Sequence, residues 1–428
     1  MTKRVYLDSL GCRLNQGEIN HLARQFAALD YPVVASAEEA ELIILNTCAV
    51  TQGATKDSRK RLRQLHRASP NAQIIATGCY AHLEAATVGQ LPGVAHVVDN
   101  LHKDTLVNQV TGQAPPKLFD LEPLQRNPTP ASGGPTRAFL KVQDGCDNLC
   151  TFCVTRLARG KARSRSVEEV VRDVQFLEAQ GYQEVVLTGV NLVAFGEDYG
   201  LEHGLKTLLA TLLQATHLPR LRLSSVEPWN LDEGFFQLWE NPRLCRHLHL
   251  PLQSGCDATL RRMLRRTSQA AFRALVEQAR QAIPELALST DLIVGFPGET
   301  EAEFAESLAF VTQMDFMKMH AFPFSAREGT AAPRLRGLVA PEVARERLAT
   351  VQALSEAGEA RYYQRYLGCT LPVLWEGVRG ASEAGFLHMG LTDNYLKVET
   401  HAPQVISNQV LPVHLERYAN GTLFGSLS

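Results

Sequence analysis

The chain has 428 residues, enough for about three domains and a sizeable buried core. At 45% hydrophobic and 21% charged it cannot be a disordered or fibrous protein. A formal net charge of −2 excludes a global field that gathers nucleic acid, so any such attraction must be local. In chain order, Met1-Thr2-Lys3-Arg4 leads straight into a strand-like segment without the apolar core of a signal peptide. No later run approaches the ~20 apolar residues that cross a bilayer. The expectation is a cytoplasmic protein with no membrane attachment.

Strands are expected at Val5-Tyr6-Leu7, Leu42 to Leu45, Ile74-Ile75-Ala76 and Val94 to Val98. Helices from Asn15 to Leu29 and from about Lys56 to Ala68 alternate with them. Such alternation predicts a parallel sheet with right-handed crossovers over residues 1–112. Residues 113–136 carry six prolines and Gly133-Gly134 and read as a linker or a partly ordered functional segment. Alternation resumes over 137–340, with strands at Phe139 to Val142, Glu184 to Thr188, Leu221 to Ser225, His247 to Leu250, Leu288 to Val294 and Met317 to Ala321. Ser166-x-x-Glu169 and Thr300-x-x-Glu303 are capping boxes that start two of the helices. Six strand–helix units predict an incomplete (β/α) barrel. A connecting helix over 341–366 then leads to short strands in 367–428, expected to form a small antiparallel β-barrel. The fold class is α/β throughout the first two parts.

Nine cysteines in a reducing compartment are not a disulfide framework. Cys12, Cys48 and Cys79 each follow one of the first three strands, at the carboxyl edge where open parallel sheets bind ligands. That placement brings them together despite their separation in sequence; the alternative is three unrelated buried thiols. Cys146-x-x-x-Cys150-x-x-Cys153 follows the first strand of the second domain. Three soft ligands without a nearby fourth suit a 4Fe-4S cluster with one open iron, the alternative being zinc completed by a distant residue. Cys245, Cys256 and Cys369 read as small core residues.

The three-cysteine spacing, with Phe152 before the last cysteine, resembles the radical S-adenosylmethionine enzymes. In that family the open iron chelates the cofactor's methionine moiety, and one electron then yields a 5′-deoxyadenosyl radical. The resemblance narrows to the methylthiotransferases. It rests on Gly11-Cys12-Arg13-Leu14-Asn15, Asn46-Thr47-Cys48, Thr77-Gly78-Cys79, Arg159-Gly160-x-x-Arg163-Ser164-Arg165, Leu187-Thr188-Gly189-Val190-Asn191, Pro251-Leu252-Gln253-Ser254-Gly255 and Asp291 to Thr300. It implies a second 4Fe-4S cluster on Cys12, Cys48 and Cys79 that carries the sulfur to be inserted. It also implies an RNA-binding TRAM-like C-terminal barrel, a low-potential electron donor and a sulfur donor. Phe152, Gly189, Ser225, Gln253 and Gly295 are the candidate S-adenosylmethionine contacts, by resemblance and strand-end position.

Three family branches differ in target: isopentenyladenosine in tRNA, threonylcarbamoyladenosine in tRNA, and an aspartate of a small-subunit ribosomal protein. Cys150-Thr151-Phe152-Cys153, Ala158-Arg159-Gly160 and Thr392 to Val398 are most similar to the threonylcarbamoyladenosine branch, whose target lies next to the anticodon at position 37 of tRNA. Arg156 and Ala331 stand where that branch usually has proline. Basic runs around Arg159, Arg163 and Arg165 and around Arg59 and Arg63 are candidate RNA contacts. A third run spans Arg261 to Arg266, whereas the C-terminal barrel carries more acids than bases. A non-catalytic iron–sulfur or zinc RNA-binding protein is the alternative outside the enzymes.

Overall fold

The computed structural model describes residues 2–115, 136–382 and 385–427. Most of the expected linker lies outside the described residues.

The first sheet has strands β1 (Val5–Ser9), β2 (Leu42–Thr47), β3 (Gln73–Gly78) and β4 (Val94–Val97), all parallel and in the order 1-2-3-4. Leu42, Ile43, Ile44 and Leu45 are all buried because helices cover both faces. Leu62 and Leu65 of the helix Gln52–Ala68 pack on one face, and Ile19, Leu22 and Phe26 of the helix Arg13–Ala28 on the other. Thr51 caps the helix Gln52–Ala68 through the Ala54 N–H, so that helix starts several residues before Lys56.

The central region contains β5 (Arg137–Lys141), a two-stranded ribbon of β6 (Gln143–Asp144) and β7 (Arg163–Ser164), then β8 (Glu184–Thr188), β9 (Arg220–Leu223), β10 (His247–His249), β11 (Ala287–Val294) and β12 (Lys318–Pro323). The six main strands all run parallel, in two three-stranded sheets, β5-β8-β9 and β10-β11-β12. Parallel bridges Leu221–Leu244 and Ser225–His249 continue the curvature across the seam. Both expected capping boxes form. Ala138, Leu140, Leu221, Leu223, Leu248 and Leu288 point outward into the main core, so the alternate residues face the barrel interior.

The last barrel comprises β13 (Thr370–Ser382), β14 (Gly385–Thr392), β15 (Lys397–Ala402), β16 (Val410–Ala419) and β17 (Thr422–Leu427), closed in the order 13-14-15-17-16. It is not wholly antiparallel: β15 and β17 run parallel, pairing Val398 with Leu423. A closed ring of five strands cannot alternate direction all the way round, so one neighbouring pair must be parallel. Tyr395 has φ +70° and lies in the turn before β15. The helix Pro341–Gln364 joins the two barrels, with Ser355 bonded to Met319 and Tyr362 and Tyr363 in the C-terminal core.

Candidate functional site

Cys12 is the N-cap of the helix Arg13–Ala28, Cys48 follows β2, and Cys79 opens the short helix Cys79–Leu83 after β3. The three thiols share one sheet edge and feel one another's charge. Gly11 makes the approach possible: at φ +93°, a Cβ there would sit 2.6 Å from Cys48 Sγ. Ser58 Oγ accepts from the Cys48 N–H at 3.0 Å and donates to its carbonyl at 2.9 Å, fixing that residue. Asn15 Oδ1 lies 3.7 Å from Cys12 Sγ, and Asn100 Nδ2 lies 3.8 Å from Cys79 Sγ. Burial pushes the Cys48 thiol up to about 11. Desolvation by the surrounding protein also raises Cys12, although that residue still reaches the surface, and the nearby Arg159 guanidinium pulls the other way.

The second triad lies on the loop between β6 and β7, whose ribbon ties the loop at its base. The Cys146 N–H donates to Gly160 O, the Cys153 N–H donates to Cys150 O, and the Thr155 N–H reaches Cys153 Sγ at 3.4 Å. Phe152 packs edge-on against Phe296, centroids 6.3 Å apart, which anchors the loop to the end of β11. Burial pushes the Cys146 thiol up to about 11 and raises Cys150 as well. Arg265 opposes the shift at Cys150: its Nη1 lies 3.8 Å from Cys150 Sγ. Arg265 is held by Glu227 at 2.6 Å and by the Trp229 ring.

Each triad offers three sulfur donors, a set that suits an iron–sulfur cluster open at one iron. Among the described residues no Cys, His, Asp or Glu group converges as the ligands of a single ion would. The thiolates of a cuboidal cluster bind different irons and ask for a wider triangle. Beside the second triad, Asp147, Asn148, Asn191, Val193, Trp229 and Arg266 help line a cavity of about 90 Å³. Two of its buried atoms, Asn148 Nδ2 and Asn191 Oδ1, have no protein partner. An unmet donor beside an unmet acceptor complements the carboxylate and ammonium of an amino-acid group.

The expected cofactor contacts divide. Gly189 stands at the end of β8, where a Cβ would meet Leu192 at 2.7 Å and Gln143 at 3.0 Å. Gln143 Oε1 accepts from the Val190 and Asn191 N–H groups and so places Asn191 at the cavity. Ser225 follows β9, and Gln253, at φ +75°, follows β10 with its backbone bonded to Asp291 and Ile293. At Gly295 the N–H donates to Glu299 at 2.7 Å, and a Cβ would press on Ala344 of the connecting helix at 2.8 Å. Its φ of +70° and the packing against that helix both disfavour a side chain there. Sequence reasoning alone does not single out Asn15, Asn100, Asn148, Asn191 or Arg265 as contacts, although Asn15 and Asn191 close two of the family-like motifs.

The two strand-end faces meet. Ala158, just past Cys153, packs with Cys79 and Tyr80, and Asn100 Nδ2 donates to Ala158 O at 2.8 Å. The Gln52 N–H donates to Ser325 Oγ at 3.1 Å, after β12.

Residues 4–99 match the Uncharacterized protein family UPF0004, and residues 140–311 match the Radical SAM superfamily. The chain is 33% identical to the threonylcarbamoyladenosine tRNA methylthiotransferase MtaB of Bacillus subtilis, over 96% of this chain and 93% of that one. The namesake of Thermotoga maritima is 35% identical over 87% of each. The chain belongs to the radical SAM methylthiotransferases. The tRNA-2-methylthio-N(6)-dimethylallyladenosine synthase of Geobacillus thermodenitrificans is also similar, at 30% over 100% of this chain and 84% of that one. Among solved structures, the radical S-adenosylmethionine methyltransferase TsrM of Kitasatospora setae shares the fold, with TM-score 0.55 and 15% identity over 75% of this chain and 73% of that one.

In this methylthiotransferase the basic residues have unequal surroundings. Arg159 is a correction: it is 2% exposed, ion-paired with Glu18 and Asp144 at 2.9 Å each, and unavailable to phosphate. Arg165 is engaged by Asp173 at 2.8 Å, so its charge is largely spent within the protein. Arg163 is exposed. Arg59 and Arg63 line a cavity of about 570 Å³ with Lys56, Lys60, His66 and Arg67. In the third run, Arg262 pairs with Glu303 and Arg265 with Glu227. Arg156 and Ala331 are both exposed.

Proposed function

We propose that this methylthiotransferase converts N6-threonylcarbamoyladenosine at position 37 of tRNA to its 2-methylthio derivative, using two 4Fe-4S clusters. What carries the reading is two cysteine triads at strand ends, with Ala158, on the chain that follows the second triad, packed in one core with Cys79 of the first. The relatives named for threonylcarbamoyladenosine are 33–35% identical, against 30% for those named for dimethylallyladenosine, which favours the former target.

Cys146, Cys150 and Cys153 would hold the radical-generating cluster, and Cys12, Cys48 and Cys79 the sulfur-bearing one. When bound, S-adenosylmethionine and the clusters supply a carbon radical, a methyl group and the sulfur that replace the C2–H bond of the adenine. Asn148 and Asn191 would receive the methionine end of the cofactor, and Phe152 would keep water from the loop. Arg265 holds the Cys150 sulfur in an electropositive setting. Arg63 and its neighbours on the helix Gln52–Ala68 would meet the tRNA backbone, with Arg163 nearer the triads. A low-potential electron donor and a sulfur donor complete the reaction, which a tRNA substrate places in the cytoplasm.

The test is mass spectrometry of nucleosides from tRNA carrying threonylcarbamoyladenosine but no methylthio group. It is incubated anaerobically with reconstituted protein, reductant, sulfide and S-adenosylmethionine. Expected is the 2-methylthio nucleoside, absent from the Cys146→Ala variant. Unmodified tRNA with accumulating 5′-deoxyadenosine would exclude this target and move the test to isopentenyladenosine tRNA and the ribosomal protein. Absence of both products would favour a non-catalytic RNA-binding protein.

A further inference from the structure

Arg159 stands at the centre of a buried ionic group that joins the two cysteine-bearing regions. Its Nη1 is 2.9 Å from Glu18 Oε1, on the helix after Cys12, and 2.9 Å from Asp144 Oδ1, just before Cys146. Lys103 Nζ is 2.6 Å from Glu18 Oε2, and Lys141 Nζ is 3.3 Å from both Glu18 and Asp144. Three enclosed cations therefore face two enclosed carboxylates, and the half-exposed Arg163 adds a fourth at 4.0 Å from Asp144 Oδ2. The other acid within reach, Asp104, stands 3.9 Å from Lys141 and is 83% exposed, so water screens it. A buried charge without a partner is costly, and interiors normally supply one. Among the described residues no further carboxylate pairs with Arg159, Lys103 or Lys141.

The same arginine is linked to two of the auxiliary cysteines by one amide each. Arg159 Nη2 donates to Asn15 Oδ1 at 2.7 Å, and that oxygen lies 3.7 Å from Cys12 Sγ. The preceding carbonyl, Ala158 O, accepts from Asn100 Nδ2 at 2.8 Å, and the same nitrogen lies 3.8 Å from Cys79 Sγ. The Arg159 guanidinium thus stands one side-chain amide away from the Cys12 sulfur, and the main chain just before it one amide away from the Cys79 sulfur.

We infer that the missing negative partner is the auxiliary iron–sulfur centre, and that Arg159 is a positioning residue whose unbalanced charge stabilises the centre's reduced state. The inference rests on the reading that Cys12, Cys48 and Cys79 hold a cluster. Cluster potentials respond to net charge and to hydrogen bonds at the sulfurs, and a low-dielectric setting strengthens both. The couple concerned takes up one electron, with no bond made or broken; dithionite supplies that electron in the test.

The experiment uses the full chain with Cys146, Cys150 and Cys153 replaced by alanine, reconstituted anaerobically so that only the auxiliary centre remains. Iron is counted, and the midpoint potential is read by a redox titration followed by electron paramagnetic resonance. Arg159→Gln is expected to shift the potential negative and Arg159→Lys to shift it less. Asp144→Asn removes a carboxylate from the same group and is expected to shift it positive. If Arg159→Gln fails to fold or to keep iron, Asp144→Asn carries the test alone. An unchanged or negative shift in Asp144→Asn, in protein that keeps its iron, overturns the inference while leaving the second cluster in place. No iron in the parent chain of this set overturns the two-cluster reading, and this inference with it.

Discussion

Gly145 is held at φ +67°, and a Cβ there would lie 1.8 Å from the carbonyl oxygen of Lys161. Only glycine lets β6 pass this close to the returning chain, whose Gly160 carbonyl accepts from the Cys146 N–H. Gly145→Ala should therefore push Cys146 out of register with Cys150 and Cys153. Iron analysis should show the loss of one cluster's worth of metal; full iron content would mean that the loop yields more easily than its geometry implies. Arg265 poses a different problem, because its side chain is 2% exposed and its charge answers Glu227. Arg265→Met would leave that carboxylate facing the cysteine loop without its cation. Breaking a buried pair from one side costs about 3–5 kcal/mol. Urea unfolding should show a lower midpoint with an unchanged slope, whereas a loss well under 1 kcal/mol would place Glu227 in contact with water.

The helix Gln52–Ala68 works through its two faces. Ser58, Leu62 and Leu65 are buried against the sheet, which leaves Lys56, Lys60, Arg63 and Arg67 on the opposite side around an open cavity. If that face meets tRNA, Arg63→Glu should weaken binding and lower the salt slope by roughly 1 for each phosphate that is no longer neutralised. Filter binding from low to high salt would measure it, and equal slopes would remove this helix from the interface. Arg165→Ala should change the slope far less, since Asp173 already holds that charge. The contrast marks what the sequence makes legible. Strand–helix alternation places all six strands of the incomplete barrel, and strand-end position brings Cys12, Cys48 and Cys79 together, because periodicity is read locally and a parallel sheet with crossovers then sets the strand ends side by side. The environment of a charge is not local. Arg159 and Arg165 look like their exposed neighbour Arg163 until Glu18, distant in sequence, and Asp173 close over them. Nor does composition reveal that a five-stranded ring needs a parallel pair.

At the scale of the whole molecule, the C-terminal barrel does not hang free; it closes the lower mouth of the incomplete barrel. Arg220 donates to the carbonyls of Leu391 and Pro372 at 2.9 Å, Arg222 to that of Asp393 at 2.9 Å, and Arg246 pairs with the Asp393 carboxylate at 2.6 Å. Tyr395 completes the seam by stacking on His247 with centroids 4.5 Å apart, and the Arg222 guanidinium lies over its ring at 4.8 Å. His247 bonds Ser289 Oγ at 3.1 Å and is surrounded by groups that oppose a second positive charge. Burial holds its pKa well below the usual histidine value, and Arg222, His249 and His320 push the same way. In the unfolded chain His247 takes its proton near pH ~6.5, so below that pH the unfolded state binds more protons than the folded one. The stability this histidine contributes is therefore complete above about pH 6.5 and is lost progressively as the solution is acidified. His320 and His388 are shifted in the same direction, so the parent protein should hold its melting temperature from pH 7.5 to about pH 6.5 and lose it from there to pH 5. His247→Phe keeps a ring against Tyr395 but has nothing to protonate, and its melting temperature should fall less steeply over that range. Parallel lines for the two proteins would mean that His247 takes up its proton in the folded chain as readily as in the unfolded one. The acid sensitivity would then belong to the remaining histidines rather than to the seam.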